Sequence, residues 1–156
     1  MQTYYGHDQS VLCLQYDNEK IVSGSSDSTI KVWDIVTGHV QMTLIGHEQP
    51  VLNVRFNDQY IVSCSKDKTL RLWDLQSGVQ LRKFEGHTAA VNSFQLVNNL
   101  IISASGDRTV KIWNILQGTC VKSLSPHERG IACVQYSPVH DIIGKKKGKK
   151  IGERNI

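Results

Sequence analysis

The chain has no run of 18 apolar residues and no opening apolar stretch of signal-peptide type, so neither a membrane-spanning helix nor secretion is expected. Its four cysteines, Cys13, Cys64, Cys120 and Cys133, stand singly, without a Cys-x-x-Cys pair or a closely placed histidine. That excludes the usual zinc and thioredoxin-like ligand patterns. Neither metal nor cofactor is expected, and the thiols read as free groups in a reducing compartment, cytoplasmic or nuclear. No apolar period of 3.6 residues runs long enough to compete as a helix, which leaves an all-β chain. Charge of one sign is also missing over most of the length: up to Ile143 there are 12 Lys and Arg against 13 Asp and Glu, and from Gly144 onward 6 against 1. The formal charge of +4 therefore belongs to the tail, and a nucleic-acid partner is not favoured for the remainder.

What is present is repetition. Gly-His stands at Gly6-His7, Gly46-His47 and Gly86-His87, and a tryptophan follows at Trp33, Trp73 and Trp113, each landmark returning after forty residues. Between them lie a nearly continuous apolar run, a second apolar run, and a bend rich in Ser and Asp at Ser23 to Ser28 and its copies. Runs of this length punctuated by residues that bond their own backbone read as short strands joined by tight turns.

A period of this length, opened by Gly-His and closed around a tryptophan, resembles the WD-repeat family, whose units are four-stranded propeller blades. The resemblance implies blades at residues 10–45, 50–85 and 90–125 and a partial blade at 126–136. Residues 1–9 are then the outer strand and turn of a preceding blade that the chain does not supply. Propellers close with typically about 4 to 8 blades, so an open partial ring is expected, with three blades and the inner strand of a fourth at Ile131 to Tyr136. Residues 137–156 carry five lysines within Lys145 to Lys150. Such a run repels itself and reads as a disordered tail.

Each copy offers the residue types of a hydrolase triad: His7, Ser23 and Asp27; His47, Ser63 and Asp67; His87, Ser103 and Asp107. A catalyst needs one such set and an array needs one per unit, so no enzymatic activity is expected. In WD-repeat proteins these residues form a structural hydrogen-bonded network with the tryptophan, here Trp33, Trp73 and Trp113. The fourth copy keeps His127 but supplies no Ser, Asp or Trp at the matching places.

Residues that choose a partner are those that differ between equivalent positions around the channel mouth. They are Ser10, Leu12 and Ser26 in the first copy, Leu52 and Lys66 in the second, Asn92 and Gly106 in the third, and Arg129 and Gly130 in the fourth. The segments that contain them, Ser10 to Asp17, Gly24 to Thr29, Cys64 to Asp67, Ser103 to Thr109 and Arg129 to Cys133, are similar in blade order to the beta-transducin-repeat-containing family of F-box and WD-repeat ubiquitin-ligase substrate receptors. That resemblance implies a non-catalytic protein-interaction module that takes a phosphorylated degron peptide. Ser10 and Ser26 would donate hydroxyls, Lys66 and Arg129 charge, and Gly130 its amide, while Leu12 and Leu52 would floor the peptide. The sequence holds no F-box segment that would dock to a ligase adaptor, and it lacks the further blades that carry much of the family's basic phosphate-binding surface, so weak or no degron binding by the chain alone is expected. The alternatives are a general WD-repeat scaffold for multiprotein assembly, or a truncated product with no independent function. Open blade faces imply self-association that completes the ring.

Overall fold

The computed structural model describes residues 3–125, 127–137 and 142–145. Three four-stranded antiparallel sheets follow one another along the chain. The first comprises β1 (Val11–Tyr16), β2 (Lys20–Ser25), β3 (Ile30–Asp34) and β4 (Val40–Leu44). The second comprises β5 (Val51–Phe56), β6 (Tyr60–Ser65), β7 (Leu70–Asp74) and β8 (Gln80–Phe84), and the third β9 (Val91–Val97), β10 (Leu100–Ser105), β11 (Val110–Asn114) and β12 (Thr119–Leu124). Strands within each sheet pair in sequence order. The expected all-β, open arrangement of three four-stranded blades is what the chain forms.

The strands are short because turn chemistry ends them at fixed places. After β3 and β7, Asp34 and Asp74 each accept a bond from the backbone N–H three residues on, at 2.7 Å to Thr37 and to Ser77. The glycine that follows, Gly38 or Gly78, has a φ of 75° or 69°, which a side chain rarely tolerates. A β-bulge falls at the tryptophan in all three sheets, between Val32 and Trp33, Leu72 and Trp73, and Ile112 and Trp113. Such a bulge re-aims the side chain that follows it.

The apolar cores lie between blades. Val22, Ile30, Val32 and Leu44 of the first sheet pack with Val51, Val54, Ile61 and Trp73 of the second. Val62, Leu70, Leu72 and Phe84 of the second pack with Val91, Phe94, Ile101 and Trp113 of the third. Each blade therefore relies on the next for its burial. Gln15 adds a polar clasp across the first of these junctions: its side-chain amide donates to the carbonyl of Phe56 at 3.2 Å and accepts the Phe56 N–H at 2.8 Å.

Both ends differ from expectation. Thr3 to Tyr5 forms no strand, and among the described residues no strand pairs with it; Met1 and Gln2 lie outside the described residues. The segment is held by side chains instead. The Tyr4 hydroxyl donates to the Ile35 carbonyl at 3.0 Å, and its ring meets Trp33 edge-on with centroids 6.0 Å apart.

In the fourth unit the strand starts later than expected, and a second strand joins it. Ile131 to Cys133 is not in a strand, whereas β13 (Val134–Ser137) pairs antiparallel with β14 (Ile142–Lys145), inside the stretch expected to be disordered. The lysine run begins only after Ile142-Ile143-Gly144. That β-branched pair supplies strand preference where β13 offers a free edge. Residues 146–156 of the expected disordered tail lie outside the described residues.

Candidate functional site

The three look-alike triads are drawn together in each blade, and they are internal. In the first, His7 Nδ1 lies 2.8 Å from Asp27 Oδ2, His7 Nε2 lies 2.8 Å from Ser23 Oγ, and Trp33 Nε1 donates to Ser23 Oγ at 2.8 Å. The second repeats this with His47, Asp67, Ser63 and Trp73 at 2.7, 2.8 and 3.0 Å. The third does so with His87, Asp107, Ser103 and Trp113 at 2.7, 2.7 and 2.8 Å. One set of proton positions satisfies every member: the indole N–H donates to the serine, the serine hydroxyl donates to Nε2, and the Nδ1–H donates to the aspartate. Ser63 and Ser103 are fully buried and Ser23 nearly so. A hydroxyl with both its partners fixed and no path to solvent cannot act as a nucleophile on a bound substrate. The assembly joins the loop that opens the blade, two strands and the bend between them.

Two residue types belong to this network that spacing alone did not single out. Thr29, Thr69 and Thr109 donate their hydroxyls to the aspartate Oδ1 at 2.6, 2.7 and 2.7 Å. Ser25, Ser65 and Ser105 accept the aspartate N–H, at 3.1, 3.0 and 3.1 Å. The signal was present as a Ser-x-Ser-x-Asp-x-Thr string with the same forty-residue period. Between the aspartate and the threonine sit Ser28, Lys68 and Arg108, with φ of 67°, 73° and 72°. A left-handed non-glycine residue costs roughly 1–2 kcal/mol, and the aspartate's bonds to the following threonine hold it there.

The electrostatics follow from burial against bonding. Burial alone would raise the carboxyls of Asp27, Asp67 and Asp107, but the bonds donated by the threonine, the histidine and backbone N–H groups outweigh it and hold all three well below the usual carboxylate range. Burial pulls His47 and His87 below the ordinary histidine value, only partly opposed by the adjoining Asp67 and Asp107. The imidazoles are thus neutral at pH 7, in agreement with the proton positions above.

The variable rim residues sit at the blade end where the bend meets the start of the inner strand. Ser26 N–H donates to the Ser10 carbonyl at 2.9 Å, Lys66 N–H to Pro50 at 3.0 Å, and Gly106 N–H to Ala90 at 2.9 Å, so the two segments are tied in each blade. Lys66, Gly106, Arg129, Gly130, Ser10 and Leu12 are exposed, while Ser26, Leu52 and Asn92 are half-buried. Gly130 is pressed against the third blade's bend: a Cβ there would lie 3.2 Å from the Gly106 Cα. This close approach brings Arg129 beside that bend. Asn92 is already engaged, its amide donating to the Ile131 carbonyl at 2.8 Å. It joins the third blade to the fourth unit, so the structure gives it a fastening role that reading it as a peptide contact did not anticipate. Among the described residues, no carboxylate lies within ion-pair distance of Lys66 or Arg129.

The profile described as "WD domain, G-beta repeat" matches residues 1–34, 38–74 and 78–114. The chain belongs to the WD40-repeat family. Among solved structures it is similar to the computationally designed Ika4 protein, with a TM-score of 0.84, 32% identity, and 92% of this chain and 90% of that one covered. It is also similar to U3-55K, with a TM-score of 0.81 and 28% identity, covering 85% of this chain and 44% of that one. Curated relatives include "Probable E3 ubiquitin ligase complex SCF subunit sconB" of Arthroderma benhamiae, 49% identical over 41 residues, which is 26% of this chain and 6% of that protein. Another is "F-box/WD repeat-containing protein 7" of Drosophila melanogaster, 51% identical over 41 residues, or 26% of this chain and 3% of that protein. The WD40 chain thus spans a small fraction of the curated relatives it matches. Its repeats and these F-box/WD relatives mark it as a protein-interaction module.

Proposed function

We propose that this WD40 module binds a phosphorylated peptide across the rim formed by Ser10, Ser26, Lys66, Arg129 and Gly130, with Leu12 and Leu52 beneath it, as part of a ubiquitin-ligase substrate receptor. The observation that carries the reading is the pair of cations, Lys66 and Arg129, for which no carboxylate lies within ion-pair distance among the described residues. Lys66 stands on a bend tied by its own N–H to the Pro50 carbonyl, Arg129 precedes the Gly130 that is pressed against the third blade's bend, and Ser10 and Ser26 bring hydroxyls to the first blade's end of the rim. A phosphate offers charge-assisted bonds to both kinds of group. The F-box/WD relatives support the ligase connection.

The test is calorimetric binding of a doubly phosphorylated peptide and its unphosphorylated twin to the native chain and to Lys66→Ala and Arg129→Ala. A charge-assisted bond contributes about 1.5–3 kcal/mol, so each substitution is expected to weaken the phosphopeptide roughly tenfold or more and leave the plain peptide unchanged. Equal affinity for the two peptides overturns the proposal.

A second reading concerns the open face of the first blade. Val11 and Leu14 on β1 are 50% and 53% exposed, whereas their equivalents Val51 and Val54 on β5 are 0% exposed. The difference is what a preceding blade would cover. We propose that a second copy covers it with the far face of its own last unit, repeating a contact the chain already makes between its blades. The likeness to the computationally designed Ika8 protein, 32% identical with a TM-score of 0.82 and covering 86% of this chain and 42% of that one, supports the reading, since blades of this form occur there within a longer chain. Sedimentation of the chain is expected to give a dimer or larger species that Leu14→Glu converts to monomer. A native chain that sediments as a monomer at tens of micromolar overturns this reading.

A further inference from the structure

At the opposite end of the inner strands from the rim lies a cavity of about 370 Å³, lined by Gln15, Arg55, Phe56, Asn57, Gln95, Leu96 and Asn98. We infer that this cavity is a carboxylate-binding site, with the Arg55 guanidinium as its anion-binding group, and that its ligand is an acidic peptide segment.

The inference rests on which donors are spent and which are free. Gln15, Arg55 and Gln95 occupy equivalent places on the three inner strands β1, β5 and β9. Gln15 is consumed by its clasp on Phe56. Arg55 makes one bond, from Nη1 to the Val54 carbonyl at 2.9 Å, and no carboxylate lies within ion-pair distance of it among the described residues. It is half-buried, and it is the one ionisable cation on the described residues of β1, β5 and β9. The side-chain amide of Asn57 uses its oxygen to accept the N–H groups of Gln59 and Tyr60 at 2.9 and 2.8 Å, which leaves its NH₂ uncommitted. Gln95 and Asn98 bring two further carboxamides to the wall. The lining thus holds one guanidinium, several amide donors, the apolar surfaces of Phe56 and Leu96, and no acid.

A guanidinium with free N–H groups matches a carboxylate in a planar, two-bond geometry, and the amides can take the remaining lone pairs. The apolar residues suit a short aliphatic stem. The volume lies in the range of small-ligand sites. Two sources share this chemistry, the side chain of Glu or Asp and a peptide's C-terminal carboxylate.

The test follows side-chain amide and Arg Nε resonances of the isotope-labelled chain while adding N-acetylglutamate α-amide, which carries a side-chain carboxylate, or N-acetyl-leucine, which carries a terminal one. Saturable shifts at Gln95, Asn57 and Arg55 are expected with at least one probe, and the tighter probe names the source. Arg55→Gln is expected to weaken that binding at least tenfold while the thermal midpoint and the rim resonances stay in place. No saturable shift with either probe, shifts unchanged in Arg55→Gln, or shifts confined to Lys66 and Arg129 overturn the inference. Should phosphopeptide binding at the rim fail while these shifts persist, the rim reading falls and the cavity reading stands.

Discussion

Trp73→Ala is expected to lower the unfolding free energy by about 3–5 kcal/mol, the cost of truncating a large buried aromatic. Trp73 is 2% exposed and sits in the core shared by the first and second blades. Its indole N–H donates to Ser63, whose hydroxyl is fully buried. Trp73→Phe keeps one aromatic ring but removes the donor and part of the indole's volume, so a smaller drop of about 1–3 kcal/mol is expected there. Urea unfolding followed by circular dichroism measures both. The middle blade packs against neighbours on both sides, so the loss should unfold the stack and not one sheet alone. An alanine variant with an unchanged midpoint would mean that the network and its tryptophan do not hold the blade.

Asp67→Ala should also cost several kcal/mol, since each buried donor left without its acceptor costs about 1–3 kcal/mol. Asp67 accepts from His47 Nδ1 at 2.7 Å, from the Thr69 hydroxyl at 2.7 Å and from the Thr69 and Glu48 N–H groups at 3.0 and 3.2 Å, with Arg71 Nη2 4.0 Å away. Alanine takes this acceptor from His47, Thr69 and Glu48, while Arg71 keeps Gln80, whereas Asp67→Asn retains an oxygen and is expected to cost less.

Acid should reach the same network by protonation. The folded carboxyls of Asp27, Asp67 and Asp107 lie below their ordinary 3.8, so their contribution is present above that pH and is lost as pH falls through the lower folded values. His47 and His87 lie below their ordinary 6.5; their contribution is present above 6.5 and is also lost on acidification, because the unfolded imidazole takes up a proton first. Both groups act in one direction. The thermal midpoint is expected to fall below about pH 6.5 and more steeply below about pH 4, and Asp67→Ala should flatten the second fall. A midpoint that holds level from pH 7 to pH 3 contradicts the assignment.

The fold was legible because one pattern is written three times. A single Gly-His or a single Trp carries little information, but three of each at equal spacing fix where the strands start and where they bend. The network was legible for the same reason, and its threonines and second serines could have been read from the same string. The ends were less legible. Tyr4 stands where Leu44 and Phe84 stand, and it keeps their contact with a tryptophan, yet its backbone needs an edge that no local pattern announces. Lysine content masked β14, since charge count averages over Ile142 and Ile143. The engagement of Asn92 with Ile131 and the cavity beside Arg55 depend on which residues of different repeats come to lie together. Period alone does not encode that.

Because apolar packing belongs to the junctions and not to the sheets themselves, duplicating or deleting one forty-residue module leaves seams built from the same strand positions, each lined by apolar residues. An ancestor of such a chain could change length by whole modules without inventing new side-chain complementarity. The rim, where the modules differ most in side chain, is then the ground on which copies diverge.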